Sequence, residues 1–416
     1  MLIRHTPYHL ATDLYCTFMS KTCTARWVFP VSGPPLANGT VTVREDRVEA
    51  VLPHGERTPD EDFGNAAIIP GLVNPHTHLD LSGARGLIPP TDPDHFTDWL
   101  RGVIAYRRTR TPEQVQADIR DGLAECLRAG TTLIGDIASE GASWEPLAAS
   151  RVRAVVFREL IGLGGERARQ SWVEMVRWQT QQRATATCRP ALSPHAPYSV
   201  RWALIQAACR GGLPVAIHWL ESPGESALIE TRSGPFVTFL SDLGIWDTAE
   251  PITDAAYTLA HGSLHAPQFL LVHANYQSAD VNVRPNTTIV YCPRTHAAFG
   301  HPPHPFRDFL ARGVRVCLGT DSLASNPDLD ILAEARFVRS RYPDFPGDQL
   351  LRMVTLSGAE ALGWADETGS LDAGKSADFV VVPLPDADAP DSHELLLADH
   401  AGERRTMFRG QWRSAP

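Results

Sequence analysis

The chain has 416 residues, of which 43% are hydrophobic and 21% are charged, and its formal net charge is −10. An acidic chain without a basic patch is not expected to bind nucleic acid or an anionic membrane, and no apolar run approaches the length of a membrane span. We therefore expect a small-molecule ligand, and the sequence leaves a homo-oligomer open. The seven cysteines are scattered without a CxxC motif, which favours buried free thiols and a reducing, cytoplasmic setting.

The two ends of the chain have the composition of short strands and turns. Residues 1–24 lack periodicity and are expected to be a disordered extension, or to include a misassigned start with Met19 as the real one. Residues 25–65 predict three strands, over 25–31, 39–43 and 47–51. Residues 366–416 predict strands over 377–383 and 404–410. Each unit is too small to be stable alone, so we predict that both ends build one composite β-sandwich.

The central region, 66–365, alternates apolar strand-like runs with helical segments. The predicted strands are 67–74, 131–137, 152–158, 187–193, 214–219, 269–273, 287–292 and 314–320. The predicted helices are 112–129, 166–183, 199–211, 304–312, 329–341 and 347–363. Eight repeats of this kind predict an α/β fold, a parallel (β/α)₈ TIM barrel, whose active site lies at the carboxyl ends of the strands. A doubly wound open sheet is the alternative.

The first predicted barrel strand ends in Pro75-His76-Thr77-His78. Because alternate strand residues point to the same face, His76 and His78 should lie side by side. A single HxH pair is a weak signal, and it is more often a polar strand end than a metal site.

Three later strands also end in ligand-type residues: His218, His273 and Asp321. A closed barrel brings the ends of its first, fifth, sixth and eighth strands to one point, whereas an open sheet does not. Several imidazoles with one carboxylate suit a divalent metal. Zn²⁺ is favoured, with Fe²⁺ or Mn²⁺ as alternatives.

Other polar residues near strand ends are candidates for catalysis or substrate binding. Glu221 lies three residues after His218 and could move protons beside a metal site, the alternative being a surface loop glutamate. His195 lies in a loop fixed by Pro194 and Pro197 and either contacts substrate or caps the following helix. Arg85 and Trp99 follow the first strand and are candidates for a lid.

Cations gather near the same strand ends: Arg158, Arg294, His296 and His301. In an acidic protein, cations kept near a metal cleft predict an anionic substituent on the substrate, since an arginine fork can bind both oxygens of a carboxylate. The alternative is that the arginines pair with Asp136, Glu159 or other neighbours. A second metal site among the histidines of 296–304 is a weaker hypothesis.

Together these motifs resemble the amidohydrolase superfamily. The matching pieces are residues 70–78, His218 with Glu221, His273, 319–322, and 369–378 at the return into the β domain. The resemblance implies a distorted (β/α)₈ barrel with a composite β-sandwich. It implies His76, His78, His218 and Asp321 as metal ligands, His273 as a ligand or a partner of the nucleophilic water, and Glu221 as the proton shuttle. No lysine ends the fourth strand, where Pro190 to Pro194 stand instead, so the resemblance implies one metal and not a lysine-bridged pair.

Within the superfamily the chain looks similar to the nucleobase and nucleoside deaminases, through His-x-x-Glu and residues 193–198. There His195 matches a position that contacts the purine. The segments 292–296 and 321–326 are similar to aminodeoxyfutalosine deaminases of the alternative menaquinone route, whereas His296 departs from the Ser-Asn of methylthioadenosine/S-adenosylhomocysteine deaminases. The resemblance implies a cytoplasmic, metal-dependent hydrolase that releases ammonia from an adenine-type nucleoside, with aminodeoxyfutalosine as first candidate. The alternatives are methylthioadenosine/S-adenosylhomocysteine, guanine or cytosine deamination, chlorohydrolase-like removal of a ring substituent, and a non-catalytic scaffold.

Overall fold

A computed structural model of the chain describes residues 20–246 and 255–413, with the backbone alone over 255–258. Residues 1–19, with Met19 and most of the predicted extension, lie outside the described residues. The end of that predicted extension was wrong, because Lys21–Thr24 form a strand that pairs with residues 40–43. Among the described residues, no helix has both the length and the apolar content that crossing a membrane requires.

The amino-terminal strands are short, with two to six residues each. They are β1 Lys21–Thr24, β2 Trp27–Val28, β3 Leu36–Ala37, β4 Thr40–Arg44, β5 Arg47–Leu52, β6 Glu61–Asp62 and β7 Ala66–Pro70. The predicted strand 25–31 is realised only as β2, and the predicted strands 39–43 and 47–51 correspond to β4 and β5.

The central strands are parallel and fully buried along most of their length, as apolar runs predict. They are β8 Leu72–Thr77, β9 Thr131–Ala138, β10 Arg153–Leu160, β11 Cys188–Pro194, β12 Val215–Trp219, β13 Phe269–His273, β14 Thr287–Tyr291 and β15 Arg315–Leu318. They pair in chain order from β8 to β15 in one eight-stranded sheet. The predicted (β/α)₈ barrel is confirmed, and the open doubly wound sheet is excluded.

The seam between the first and last barrel strands is closed by side chains. Asn74 donates to Thr320 Oγ1 at 2.7 Å and accepts from the Thr320 amide at 3.2 Å. The Asp321 amide donates to the His76 carbonyl at 3.1 Å. These bonds lock the carboxyl ends of β8 and β15 together, and so they hold two predicted metal ligands in register.

The predicted strand 67–74 is in fact two strands that belong to different sheets. They divide at Gly71, where a side chain would meet Thr132 Oγ1 at only 2.0 Å from the Cβ position. Pairing explains the split, because β7 bonds to the carboxyl-terminal strand over residues 379–383, whereas β8 bonds to β9.

The carboxyl-terminal strands are β16 Phe379–Pro383, β17 Arg405–Phe408 and β18 Gln411–Trp412. They join β7, β2 and β3 in a six-stranded sheet, and β5, β4, β1 and β6 form a second sheet. Apolar side chains of both sheets share one core, which includes Val41, Ile68 and Phe379. The composite β-sandwich is therefore confirmed.

The helices are α1 Phe96–Thr109, α2 Pro112–Arg128, α3 Trp144–Ala148, α4 Gly165–Gln181, α5 Trp202–Arg210, α6 Pro223–Thr231, α7 Pro235–Asp242, α8 Ala255–His265, α9 Pro293–Ala298, α10 Phe306–Ala311, α11 Ile331–Arg341, α12 Gly347–Met353, α13 Leu356–Ala361 and α14 Ser392–Leu397. Three 3₁₀ turns add Leu79–Ala84, Pro93–His95 and Ser139–Gly141. The six predicted helices are present, except that 347–363 is two helices. The helices outside the predicted ranges are α1, α3, α6, α7, α8, α9 and α14.

A buried ion pair ties the barrel to the sandwich. Arg153, at the start of β10, donates to Asp378, and their side chains are 3% and 0% exposed. Asp378 also accepts from Ser376 and from the Arg409 amide. The pair therefore fixes the approach of the carboxyl-terminal segment to the amino-terminal ends of the barrel strands.

Replacement of Arg153 by methionine is expected to lower the free energy of unfolding by about 3–5 kcal/mol, because Asp378 would remain buried without its counter-charge. Chemical denaturation of the metal-loaded chain measures this change. Arg312→Met, which removes an exposed pair with Asp280, is the matched control and should change little. Equal effects of the two variants would contradict the structural role of Arg153.

Candidate metal centre and active site

The barrel brings the predicted ligands to one buried point at the carboxyl ends of the strands. His76 is near the end of β8 and His78 directly follows that strand, His218 is in β12, His273 ends β13, and Asp321 follows β15. All five side chains are buried, from 0% exposed for His76 to 7% for His78. Donor atoms of His76, His78 and His218 lie within 4.8 Å of one another, as do those of His76, His273 and Asp321.

The spacing of these atoms fits a tetrahedral metal. His78 Nε2 lies 3.2 Å from His218 Nε2, and Asp321 Oδ1 lies 3.5 Å from His76 Nε2 and 3.6 Å from His78 Nε2. Ligands that each lie about 2.1 Å from a Zn²⁺ ion at tetrahedral angles are separated by about 3.4 Å. The donor set therefore has the dimensions of one metal site.

The hydrogen bonds around the cluster leave nitrogen lone pairs for a cation. His218 Nδ1 lies 2.9 Å from the His195 carbonyl, which places its proton there and leaves Nε2 as a ligand atom. Both ring nitrogens of His76 are buried without a hydrogen-bond partner among the described residues. A buried orphaned imidazole is costly unless something occupies its lone pair, so these residues fit a metal.

Two of these residues have backbone conformations that are unusual for side-chain-bearing residues. The φ angles of His273 and Asp321 are 66° and 64°, in the left-handed region. Such angles cost free energy, and they persist where the surrounding structure holds them. Here they end the strands and turn both side chains toward the cluster.

Glu221 lies beside the cluster and is held by its backbone. Its amide donates to Glu225 Oε2 at 3.0 Å, and its carbonyl accepts from Asn275 at 3.0 Å. Its Oε1 lies 3.4 Å from His273 Nε2. Glu225 and Asn275, which position Glu221 through the main chain, belong to no motif that the sequence analysis could use.

The two carboxyl groups at the centre have pKa values shifted in opposite directions. Burial, with repulsion from Asp321 and Glu225, raises the pKa of Glu221 well above its ordinary value. Burial also opposes ionisation of Asp321, but the contacts with His76 and His273 outweigh it and lower the pKa of Asp321. A pair divided in this way offers one group that carries a proton and one that accepts it.

A small cleft opens onto the cluster. Its walls include the apolar side chains Leu81, Trp99, Leu100, Val103 and Tyr198. Glu159, His195 and Ser322 also line it, and the His195 ring lies 4.8 Å from that of His218. His195 Nδ1 contacts Ser199 Oγ at 2.8 Å, so the ring both reaches the cleft and bonds to the following turn.

The helix that supplies part of this wall, α1, was missed by the sequence analysis. Its Arg107 lines the cleft and lies 2.9 Å from Glu159 Oε2 and 3.1 Å from Asp80 Oδ2. The available signal was the amphipathic spacing of Phe96, Trp99 and Val103, which are buried on one face. Of the two lid candidates, Trp99 belongs to this wall, whereas Arg85 bonds to Glu125 and to the Pro327 carbonyl.

The structure does not bring the predicted cations into the cleft. Arg158 pairs with Glu174 at 3.0 Å and donates to the Glu140 carbonyl. Arg294 donates to Asp328 and to Glu334, both at 2.7 Å. Among the described residues that line the cleft, neither arginine occurs. Each arginine pairs with a carboxylate elsewhere, so these contacts give no support to substrate binding, and that role stays a prediction.

The two histidines of that group do not supply the expected charge either. Burial lowers the pKa of His296 to about 4 and that of His301 to about 3, so both rings are neutral near neutral pH. His304 Nε2 donates to the His273 carbonyl at 2.7 Å. Within the described part of the chain, the donor sets that fit a metal exclude His296, His301 and His304, so nothing here supports a second site.

Arg294 acts on the loop that carries Asp321. Glu334 is fully buried, and besides Arg294 it accepts from Asn326, whose side chain also donates to the Thr320 carbonyl. Ser325 donates to Asp321 Oδ2 at 2.9 Å. Arg294 therefore neutralises a buried carboxylate that organises residues 320–326.

Arg294→Gln is expected to lower the free energy of unfolding by about 3–5 kcal/mol, since Glu334 would be left buried without a counter-charge. It should leave the ratio of KM for a carboxylate-bearing nucleoside to KM for adenosine unchanged. Steady-state kinetics on the two substrates and denaturation of the same preparation measure both effects. A selective rise in KM for the carboxylate-bearing substrate would show that Arg294 binds the substrate.

The sequence matches a known protein family over most of its length. The amidohydrolase family model matches residues 67–414. The chain belongs to the amidohydrolase family. This confirms the resemblance stated from the motifs and the prediction of a hydrolytic enzyme.

Individual relatives of this amidohydrolase cover most of the chain. It is 30% identical to a 5-methylthioadenosine/S-adenosylhomocysteine deaminase of Moorella thermoacetica, over 88% of this chain and 85% of that protein. It is 26% identical to an aminodeoxyfutalosine deaminase of Nitratiruptor, over 82% and 85%. Its fold is similar to that of Helicobacter pylori aminofutalosine deaminase with bound methylthio-coformycin (TM-score 0.81, 21% identity, 95% and 100% covered). A zinc-bound adenosine deaminase of Xanthomonas campestris has a TM-score of 0.77 at 23% identity, with 94% and 92% covered.

Proposed function

We propose that this amidohydrolase is a metal-dependent hydrolytic deaminase of an adenine-type nucleoside. The observation that carries the proposal is the buried set of His76, His78, His218 and Asp321, with donor atoms at metal spacing, beside a Glu221 whose pKa is raised. The relatives named as deaminases of adenine nucleosides support the same reaction.

The proposed roles follow from the position of each group. One divalent metal, with Zn²⁺ favoured over Fe²⁺ or Mn²⁺, would be held by these four residues and would supply a water of lowered pKa. Asp321 accepts a proton from the attacking water, and His273 orients that water. Glu221 donates its proton to the ring nitrogen next to the amino-bearing carbon, which makes that carbon more electrophilic as the water oxygen bonds to it. The proton held by Asp321 then passes to the amino group, the carbon–nitrogen bond breaks and ammonia leaves. Glu221 regains a proton from the new hydroxyl as that group becomes the ring carbonyl. His195 contacts the purine from the rim.

The walls of the cleft favour a substrate with an apolar 5′ side. Among the described residues that line it, Arg107 is the single guanidinium, and Asp80 and Glu159 already engage it. An anionic 5′ group was predicted from Arg158 and Arg294, which lie elsewhere. We therefore place methylthioadenosine first among the candidate substrates. Aminodeoxyfutalosine, with its place in menaquinone synthesis, is the second, supported by the Nitratiruptor relative.

A substrate screen tests the proposal. Ammonia release would be measured with metal-loaded protein on methylthioadenosine, adenosine, S-adenosylhomocysteine, aminodeoxyfutalosine, guanine and cytosine, and chloride release on a chlorotriazine. The highest kcat/KM is expected for methylthioadenosine. A higher value for aminodeoxyfutalosine would keep the reaction and change the substrate. Activity confined to free bases or to the chlorotriazine would contradict the proposal.

A further inference from the structure

A second cavity, of about 950 Å³, lies far from the metal cluster in the fold. Its lining comes from the carboxyl-terminal end of α2, from residues 149–151, from Asp330 and Arg336 at and in α11, and from residues 400–406 with Arg413. Residues 129 and 151 lie just before β9 and β10, which start at Thr131 and Arg153, so the cavity is at the amino-terminal ends of these barrel strands. The proposed metal ligands lie on other strands of the barrel, at the carboxyl ends, so they are on the opposite face of the sheet's strand ends from this cavity.

The charges that line this cavity are unlike those of the chain as a whole. The lining holds three carboxylates, Glu125, Asp330 and Glu403, against six arginines in a chain of net charge −10. The arginines are Arg128, Arg151, Arg336, Arg404, Arg405 and Arg413. Glu125 and Asp330 are already paired, with Arg85 and Arg404 respectively. The cavity is therefore a local concentration of positive charge.

Four of the six guanidinium groups have no carboxylate within ion-pair distance among the described residues, since only Arg404 and Arg405 form such pairs. Arg336 contacts the carbonyls of Leu396 and His400 at 3.2–3.4 Å. Arg413 donates to the Thr131 and Arg151 carbonyls at 2.9 and 2.5 Å, and its Nε is buried without a partner.

Carbonyl contacts satisfy donors but do not neutralise charge. Burial lowers the pKa of Arg413 to about 10 and also lowers that of Arg336, which shows that the protein around them disfavours their charged forms. For Arg336 and Arg413, which are partly buried, a charge without a counter-ion is costly unless an anion joins it, and the exposed Arg128 and Arg151 add positive charge at the same cavity. Arginine forks bind phosphate oxygens through paired, charge-assisted hydrogen bonds.

We propose that this cavity is a binding site for a phosphate-bearing anion, distinct from the active site and independent of the reaction proposed for it. Arg128, Arg336 and Arg413 supply the charge, and Arg151 lines the same wall. Because the cavity is lined by the segments that precede β9 and β10 and by the carboxyl-terminal segment, a bound anion would link the barrel to the sandwich.

Isothermal titration of the full-length, metal-loaded chain tests the site, with inorganic phosphate, ribose 5-phosphate and ribose at matched ionic strength in sodium chloride. We expect saturable binding of both phosphates, and this binding should depend on these arginines. We expect no binding of ribose. Tighter binding of ribose 5-phosphate would identify an organic phosphate as the source, whereas equal affinities would identify free phosphate.

Substitutions locate the binding. Arg128 is exposed and makes no ion pair among the described residues, so Arg128→Gln should fold normally and raise Kd about tenfold or more, the effect of losing one charged hydrogen bond. Arg336→Gln should act in the same direction. Arg312→Gln, which removes an equal charge elsewhere, should leave Kd unchanged. Absence of saturable phosphate binding, or equal Kd values in the Arg128 and Arg312 variants, would overturn the proposal.

Discussion

Replacing Glu221 with glutamine is expected to lower kcat by about 10²-fold or more while the protein retains its metal. The amide keeps the shape of the side chain, and the backbone bonds to Glu225 and Asn275 remain, so the geometry of the loop should persist. What is lost is the proton that Glu221 carries in its buried setting. Steady-state kinetics and metal analysis on one preparation measure the two quantities together.

A matched control lies on the next helix. Glu230 lies near the end of α6, the helix that follows Glu221, but its side chain is exposed. Glu230→Gln should therefore match the parent protein in both kcat and metal content. If Glu221→Gln keeps its metal and a near-normal kcat, Glu221 does not move the proton and another acid must be found.

Loss of one ligand should have a larger effect still. His76→Ala removes the imidazole that belongs to both metal-competent sets, and it leaves a void in a fully buried position. Changing groups that merely orient ligands costs about 10–100-fold in metal affinity, and removal of a ligand should cost more than that. We expect the variant to be purified without stoichiometric metal and without detectable deaminase activity.

His54→Ala is the control, because His54 is exposed and lies in the sandwich portion of the sequence. Metal content by mass spectrometry and ammonia release are the measurements. A His76→Ala protein that holds one tightly bound metal and turns over substrate would show that the ion sits elsewhere.

The sequence predicted the barrel well because its strands are buried on both faces and read as continuous apolar runs. It also placed the ligands, since His76, His78, His218, His273 and Asp321 all stand at strand ends, and a closed barrel has one place where those ends meet. The split at Gly71 was not predictable from hydrophobicity, because both halves of that run are equally apolar and only their pairing partners differ.

The directions of the two arginine side chains could not be predicted, for a different reason. Position near a strand end does not say where a long side chain points, and Arg158 and Arg294 turn away to Glu174, Asp328 and Glu334. Those partners are 16 to 40 residues away in sequence, so the pairing depends on tertiary structure. Arg107 was missed because α1 fills a long connection after the first barrel strand, where the sequence analysis predicted no helix.

Titration of metal-free protein with Zn²⁺ tests the central claim most directly, with methylthioadenosine deamination as the readout. If the four ligands form one catalytic site, activity should be absent without metal, rise linearly with added Zn²⁺, and stop rising at one equivalent per chain. Full activity in the metal-free protein, or a rise that continues to two equivalents, would contradict a deaminase built on one metal.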